Sequence, residues 1–277
     1  MRNTGEPQTS RLARCMKRSL FLALITGLLL VASPVWAQKL RVAYSDIEVA
    51  PYQLGSGPAV PSLPGAMVEL IGFVAKELGL QVEYERAPQL RGFRRLQDGE
   101  VDATFMFSYA PDRQQFGRFP LRDGKPDEVA RMVNMRYVLY RLKGSPFHWD
   151  GHATSGLGES AIGFNSTFSI GALLAQWGLK TEEAKTTEQN FQKLARGRIA
   201  AYAMQERVAD SYLAANPMPE VEKLPIPLET KAYYLMLSHQ LVDKNPALAE
   251  KIWATLGKLR QEKLPELLRK YAMPPLP

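Results

Sequence analysis

The sequence predicts an α/β protein of two similar lobes with a cleft between them. Three observations carry this reading. Strand-like and helix-like stretches alternate along the chain, a twelve-residue stretch recurs without gaps 98 residues further on, and 240 of the 277 residues remain once an N-terminal leader is set aside, room for two lobes.

The leader comes first in the chain. Lys17 and Arg18 precede the apolar run Leu20–Ala32, and Val35-Trp36-Ala37 follows at the spacing of a cleavage site, so residues 1–37 read as a secretory signal peptide cut after Ala37. The run is shorter than the roughly 20 apolar residues of a bilayer-spanning helix. Five of the 35 Lys+Arg and one of the 28 Asp+Glu lie in this leader, which leaves residues 38–277 with a net charge of +3 instead of +7. With no stripe of basic residues interleaved with aromatics, nucleic acid is not an expected partner. The single cysteine, Cys15, precedes the apolar run, so the rest of the chain has no disulfide, thiol nucleophile or thiolate metal site. His148 and His152 flank Trp149-Asp150-Gly151 in what reads as a surface loop, and neither a metal nor a cofactor is expected.

The elements follow in order. Leu40–Tyr44 is a short β-rich run. After a Gly/Pro-rich loop from Gly55 to Pro64, Met67, Leu70, Ile71, Val74 and Leu78 recur at helical spacing and stop at Gly79. Gln81–Tyr84 reads as a strand, Arg91–Gln97 as a short helix, and Val101, Ala103, Phe105 and Phe107 as an alternating strand. This βαβαβ order implies a largely parallel sheet. Near the end, Leu248, Ile252, Leu256 and Leu259, then Leu264, Leu267, Leu268 and Tyr271, give helices that pack as core, as does Trp253.

The repeat aligns Arg95–Met106 on Lys193–Met204, with Leu, Gly, Ala and Met in register. Each copy reads as a helix end, a glycine cap and a strand, the same unit used once per lobe, although such a pattern also arises at unrelated helix-to-strand junctions. Each copy leads into polar residues, Ser108–Arg113 in the first and Gln205–Arg207 in the second. Ligands of open α/β sheets bind beyond the carboxyl ends of strands, so two such ends facing each other form a cleft.

Several segments together resemble family 3 solute-binding proteins, the type II periplasmic fold of polar amino-acid transporters. They are Ala50-Pro51-Tyr52, the helix opened by Gly65–Glu69, Gly99–Ala103, Ala110-Pro-Asp-Arg113, Gly163–Thr167 before a helix, and Gly197–Ala201. The resemblance spans residues 38–277. It implies crossings at Tyr137–Tyr140 and Leu224–Leu228, with lobe 1 at 38–136 plus 226–277 and lobe 2 at 137–225. It implies a monomer in the periplasm that closes on a small polar ligand, an amino acid or related carboxylate, and delivers it to an ABC transporter without catalysis.

Arg113 is the first candidate site residue, because a guanidinium holds a carboxylate through two parallel hydrogen bonds. The resemblance assigns it that role; an exposed arginine at a helix start is the plain alternative. Ser108 adds a hydroxyl to the same carboxylate. Ser166 and Thr167, just before a helix, offer a cap and an anion-favouring terminus. Tyr44 and Tyr52 are candidate aromatic walls or ordinary packing, and Arg91 points into the cleft or pairs on the surface. The acid that the resemblance places against a ligand ammonium falls on Gln205, with Glu206 adjacent. Asp46 and Glu48 are other cation partners. Two competing functions use the same cleft: a ligand-sensing module, and an enzyme like cyclohexadienyl dehydratase with Glu206 as proton donor.

Overall fold

The computed structural model describes Met1 and residues 38–272; apart from Met1, the expected leader lies outside the described residues. The first lobe opens with β1 (Lys39–Ser45), helix α1 (Ala66–Glu77), β2 (Gln81–Ala87), α2 (Gln89–Gln97) and β3 (Ala103–Ser108). A hairpin of β4 (Leu121–Arg122) and β5 (Lys125–Pro126) leads to the long strand β6 (Val133–Leu142). The second lobe carries the hairpin β7 (His148–Trp149) and β8 (Thr154–Ser155), then β9 (Ile162–Asn165), α3 (Ile170–Gln176), β10 (Thr181–Ala184) and α4 (Thr187–Ala195). It continues through β11 (Ala201–Gln205), α5 (Glu206–Ala215) and β12 (Val221–Lys223). The chain returns through β13 (Glu229–Leu237) to α6 (His239–Lys244) and α7 (Pro246–Ala272). No described helix is long and apolar enough to cross a membrane.

Nine strands form one sheet in the order β10-β9-β11-β6-β13-β3-β1-β2, with β12 also on β6. The β1–β2, β1–β3, β9–β10 and β9–β11 pairs are parallel, and β6 and β13 pair antiparallel at the centre. Tyr137 is where β6 changes partners, facing Glu229 of β13 along one edge and Gln205 of β11 along the other. The stretch Leu224–Leu228 stays against β6, through Leu224 N–H to Leu139 C=O and Leu228 N–H to Tyr137 C=O, both 2.8 Å, before the chain enters β13.

Apolar periodicity explains the helices. Met67, Leu70, Ile71 and Val74 are fully buried on α1, each worth about 1.5–3 kcal/mol of burial, and α1 packs against α7. Gly65 begins α1 at φ 108°, where a Cβ would stand 2.5 Å from Tyr52 C=O, so only glycine fits. The repeat is a structural one: Gly99 and Gly197 both take positive φ, and their N–H groups bond Leu96 C=O and Leu194 C=O at equivalent helix ends.

Four details differ from the sequence expectation. Helix α2 starts two residues early, at Gln89: Pro88 stands at its N-cap position and its C=O accepts from the N–H groups of Arg91 and Gly92 at 2.9 and 3.0 Å. The closing segment is one continuous helix of 27 residues. His148 to His152 forms a hairpin arm and its turn, in which Asp150 Oδ1 accepts from the N–H groups of His152 and Ala153. Strand β3 does not simply alternate: Met106 sits at φ 66° where the β13 register shifts between Tyr234 and Leu235. This bulge sends Phe105 and Phe107 into different core clusters.

Candidate functional site

A cavity of about 270 Å³ lies between the lobes, at the carboxyl ends of the parallel strands. The first lobe contributes Asp46 after β1, Gln89 and Leu90 at the start of α2, Met106 on β3, and Arg113. From the second come Ser166, Thr167, Phe168 and Ser169 between β9 and α3, Lys185 after β10, and Gln205 at the end of β11. The central strands β6 and β13 supply Tyr137 and Tyr233. Two hydrogen bonds span the lobes: Thr167 Oγ1 to Gln89 Oε1 at 3.0 Å, and Ser108 Oγ to Ser169 Oγ at 3.4 Å. The lobes are therefore in contact across the cavity.

Arg113 stands on a short 3-10 turn, Pro111–Gln115, that follows β3. Its Nη1 donates to Ser108 C=O at 2.8 Å and to Ser108 Oγ at 3.1 Å, and the guanidinium lies over the Phe107 ring, 5.8 Å from its centroid. One edge of the fork is thus fixed by the protein, and no carboxylate among the described residues forms an ion pair with it. A positioned, unpaired guanidinium facing a cavity is suited to an incoming carboxylate.

In the second lobe, the Ser166–Ser169 loop is anchored by Asn165. Its Oδ1 accepts from Asn190 Nδ2 and Tyr202 OH, both at 2.8 Å, and all three residues are buried. Gln205, only 4% exposed, donates from Nε2 to Tyr233 OH at 2.8 Å and to Tyr137 OH at 3.2 Å, and the two hydroxyls meet at 2.9 Å. Burial pushes both phenols up, so they stay neutral. Gln205 Oε1 is buried and has no partner within the described protein.

The cavity brings together Arg113, Ser166, Thr167 and Gln205 of the expected residues, with Ser108 bonded directly to Arg113. It does not include the others. Tyr44 is core, stacked on Phe105 with ring centroids 5.4 Å apart, because it shares the inward face of β1 with Leu40 and Val42. Tyr52 is fully buried and faces a separate depression with Arg136 and Arg207. Arg91 is exposed on α2 and turned away from the cavity. Of the two acids weighed as cation partners, Asp46 lines the cavity, whereas Glu48 accepts from Gly55 N–H at 2.6 Å outside it. Gln89, Ser169, Lys185 and Tyr233 are cavity residues that the sequence reading missed. No group of three or more metal-ligating side chains occurs among the described residues.

Glu206 also turns away from the cavity. Arg136 binds it with two nitrogens, at 2.8 and 2.7 Å, and Lys223 reaches it at 3.0 Å. The Arg136 hydrogen bonds hold its carboxyl below the usual range, with partial burial opposing and Lys223 assisting. A proton donor at neutral pH needs the opposite displacement. Glu206→Gln is therefore expected to leave ligand affinity within twofold of wild type by calorimetry. A depressed carboxylate stabilises the fold above its unfolded value of about 4.3, and that stability is lost as pH falls through the lower folded value. The variant should accordingly show a shallower loss of Tm than wild type as pH falls below 4.3.

No protein-family model matches the chain, and no curated protein matches it in sequence. Solved structures do match. One is the amino acid ABC transporter substrate-binding protein AbpA from Streptococcus pneumoniae, bound to L-arginine, at 17% identity, with 84% of this chain and 93% of that chain covered and a TM-score of 0.64. A second is the GluR0 ligand-binding core from Nostoc punctiforme with L-glutamate, at 16% identity, 84% and 98% coverage, and a TM-score of 0.65. A third is a histidine kinase sensor domain with similarity to periplasmic binding proteins, at 15% identity, 85% and 96% coverage, and a TM-score of 0.66. With its curled sheet, two lobes and interlobe cavity, the chain has the type II periplasmic binding protein fold that family 3 solute-binding proteins share.

Proposed function

We propose that this chain is a periplasmic solute-binding protein that closes on a small carboxylate and passes it, as a monomer, to an ABC transporter. The observation that carries the reading is Arg113, held by Ser108 at the rim of one lobe and facing the Ser166–Ser169 loop of the other across one cavity. Solved neighbours that bind arginine or glutamate support a ligand of that size. The closing bodies are residues 38–136 with 226–277, and 137–225. Closure is driven by contacts that the ligand makes only when both lobes reach it. The leader at 1–37 is the export signal in this reading, and N-terminal sequencing of secreted protein should begin at Gln38.

The test is a thermal-shift screen of protein freed from bound ligand by unfolding and refolding. The panel holds amino acids, their deaminated analogues and small organic acids. A ligand that binds only the native state raises Tm through mass action. At least one carboxylate should do so in wild type and not in Arg113→Ala; no shift from any acid contradicts the reading.

The interlobe bond from Thr167 to Gln89 favours the closed form. Thr167→Ala removes one neutral hydrogen bond, worth about 0.5–1.5 kcal/mol, and should weaken ligand binding roughly two- to tenfold by calorimetry with little change in unfolding midpoint.

A further inference from the structure

We propose that the inner end of the cleft selects a 2-hydroxy acid with a branched or aromatic side chain over the amino acid of the same skeleton. The inference rests on the carboxylate-capture reading and names its substrate class.

The first ground is the wall opposite Arg113. Tyr233 faces Ser108 in the β13–β3 register, and Ser108 accepts from Arg113, so the polar cluster of Gln205, Tyr137 and Tyr233 adjoins the carboxylate end of the cleft. An acid seated on Arg113 presents its C2 substituent to that cluster. Gln205 Nε2 is spent on the two hydroxyls, and Oε1 is the buried acceptor with no protein partner. Gln205 lines the cavity, so a ligand donor reached by a turn of its side chain meets an acceptor that no described protein group has claimed.

The second ground is charge. Gln205, Tyr137 and Tyr233 are neutral, so an ammonium entering this wall leaves water without meeting a carboxylate, whereas a hydroxyl makes the same hydrogen bond without that loss. Among the described residues Asp46 is the one carboxylate lining the cavity, and it directly follows β1, across β3 from β13. Taken with Arg113 and Lys185, it leaves the cavity lining one positive charge in excess, matching a monoanion and not a zwitterion. The third ground is the remaining lining, where Ile47, Leu90, Phe105, Met106, Phe107 and Phe168 surround the ligand body with apolar surface.

The experiment is titration calorimetry on the refolded wild-type protein with matched sets: leucine, 2-hydroxy-4-methylpentanoate, 4-methyl-2-oxopentanoate and 4-methylpentanoate, then the phenylalanine series with 3-phenyllactate. The 2-hydroxy acid of at least one set should bind at least tenfold more tightly than the amino acid, and more tightly than the oxo and unsubstituted acids. Gln205→Glu should reverse the preference between hydroxy and amino acid, and Gln205→Leu should erase the hydroxyl's advantage. Wild-type protein that prefers the amino acid overturns the inference even if Gln205→Glu does not fold. If that binding also disappears in Asp46→Asn, the ammonium belongs to Asp46. Amino-acid binding that still requires Arg113 leaves carboxylate capture standing; an absence of binding by every acid sinks both.

Discussion

Arg113→Ala is expected to weaken carboxylate binding by roughly a hundred- to several-thousandfold, about 3–5 kcal/mol. Removing one partner of a desolvated, hydrogen-bonded ion pair costs this much because the other charge is left buried and unpaired. The fold should survive, since the turn is held by backbone bonds, Arg113 N–H to Ala110 C=O and Phe116 N–H to Arg113 C=O, both 3.0 Å. Arg113→Lys keeps the charge but loses the planar fork, and should recover only part of the affinity. Calorimetry with whichever acid binds wild type reads the effect, and unfolding by denaturant checks the fold. An alanine variant that binds within threefold of wild type removes Arg113 from the site.

Asn165→Ala should destabilise the protein by about 2–4 kcal/mol and weaken ligand binding as well. The side chain ties three elements together: Oδ1 receives Asn190 of α4 and Tyr202 of β11, and Nδ2 donates to Thr187 Oγ1 at 3.4 Å. Truncation strands two buried donors, at about 1–3 kcal/mol each, with partial relief as the site relaxes. Because Ser166–Ser169 follow directly, a looser anchor also lets that wall of the cleft drift. A urea midpoint equal to that of wild type would show that the network does not hold the second lobe.

Much of the fold was legible because its signals are local. Helical spacing located α1, and glycines after α2 and α4 marked two equivalent helix ends from sequence alone. The place of Arg113 beside the cavity follows from a local pattern too, since a polar cluster after an apolar strand falls at a sheet's carboxyl end. Period-two reading favours the packing alternative at Tyr44: Leu40, Val42 and Tyr44 share one face and one core cluster. Tyr52 belongs to that core through loop contacts with no periodic signature. Lys185 and Tyr233 escaped notice because β10 has no apolar alternation and Tyr233 reaches the cavity only through pairing with β3. Glu206 differs from Gln205 by one residue, yet the register that sets Gln205 opposite Tyr137 sends Glu206 to Arg136 on the other side.

In the proposed function, ligand joins two lobes that otherwise separate. The most direct measurement is the distance between spin labels at Lys76 on α1 and Glu159 in the second lobe, both exposed, with each replaced by cysteine and Cys15 by serine. Without ligand, the distances should be broad and extend to longer values. With a saturating carboxylate they should collapse to one shorter distance matching the structure in which Thr167 meets Gln89. The same distribution with and without an acid that calorimetry shows to be bound would contradict closure on the ligand.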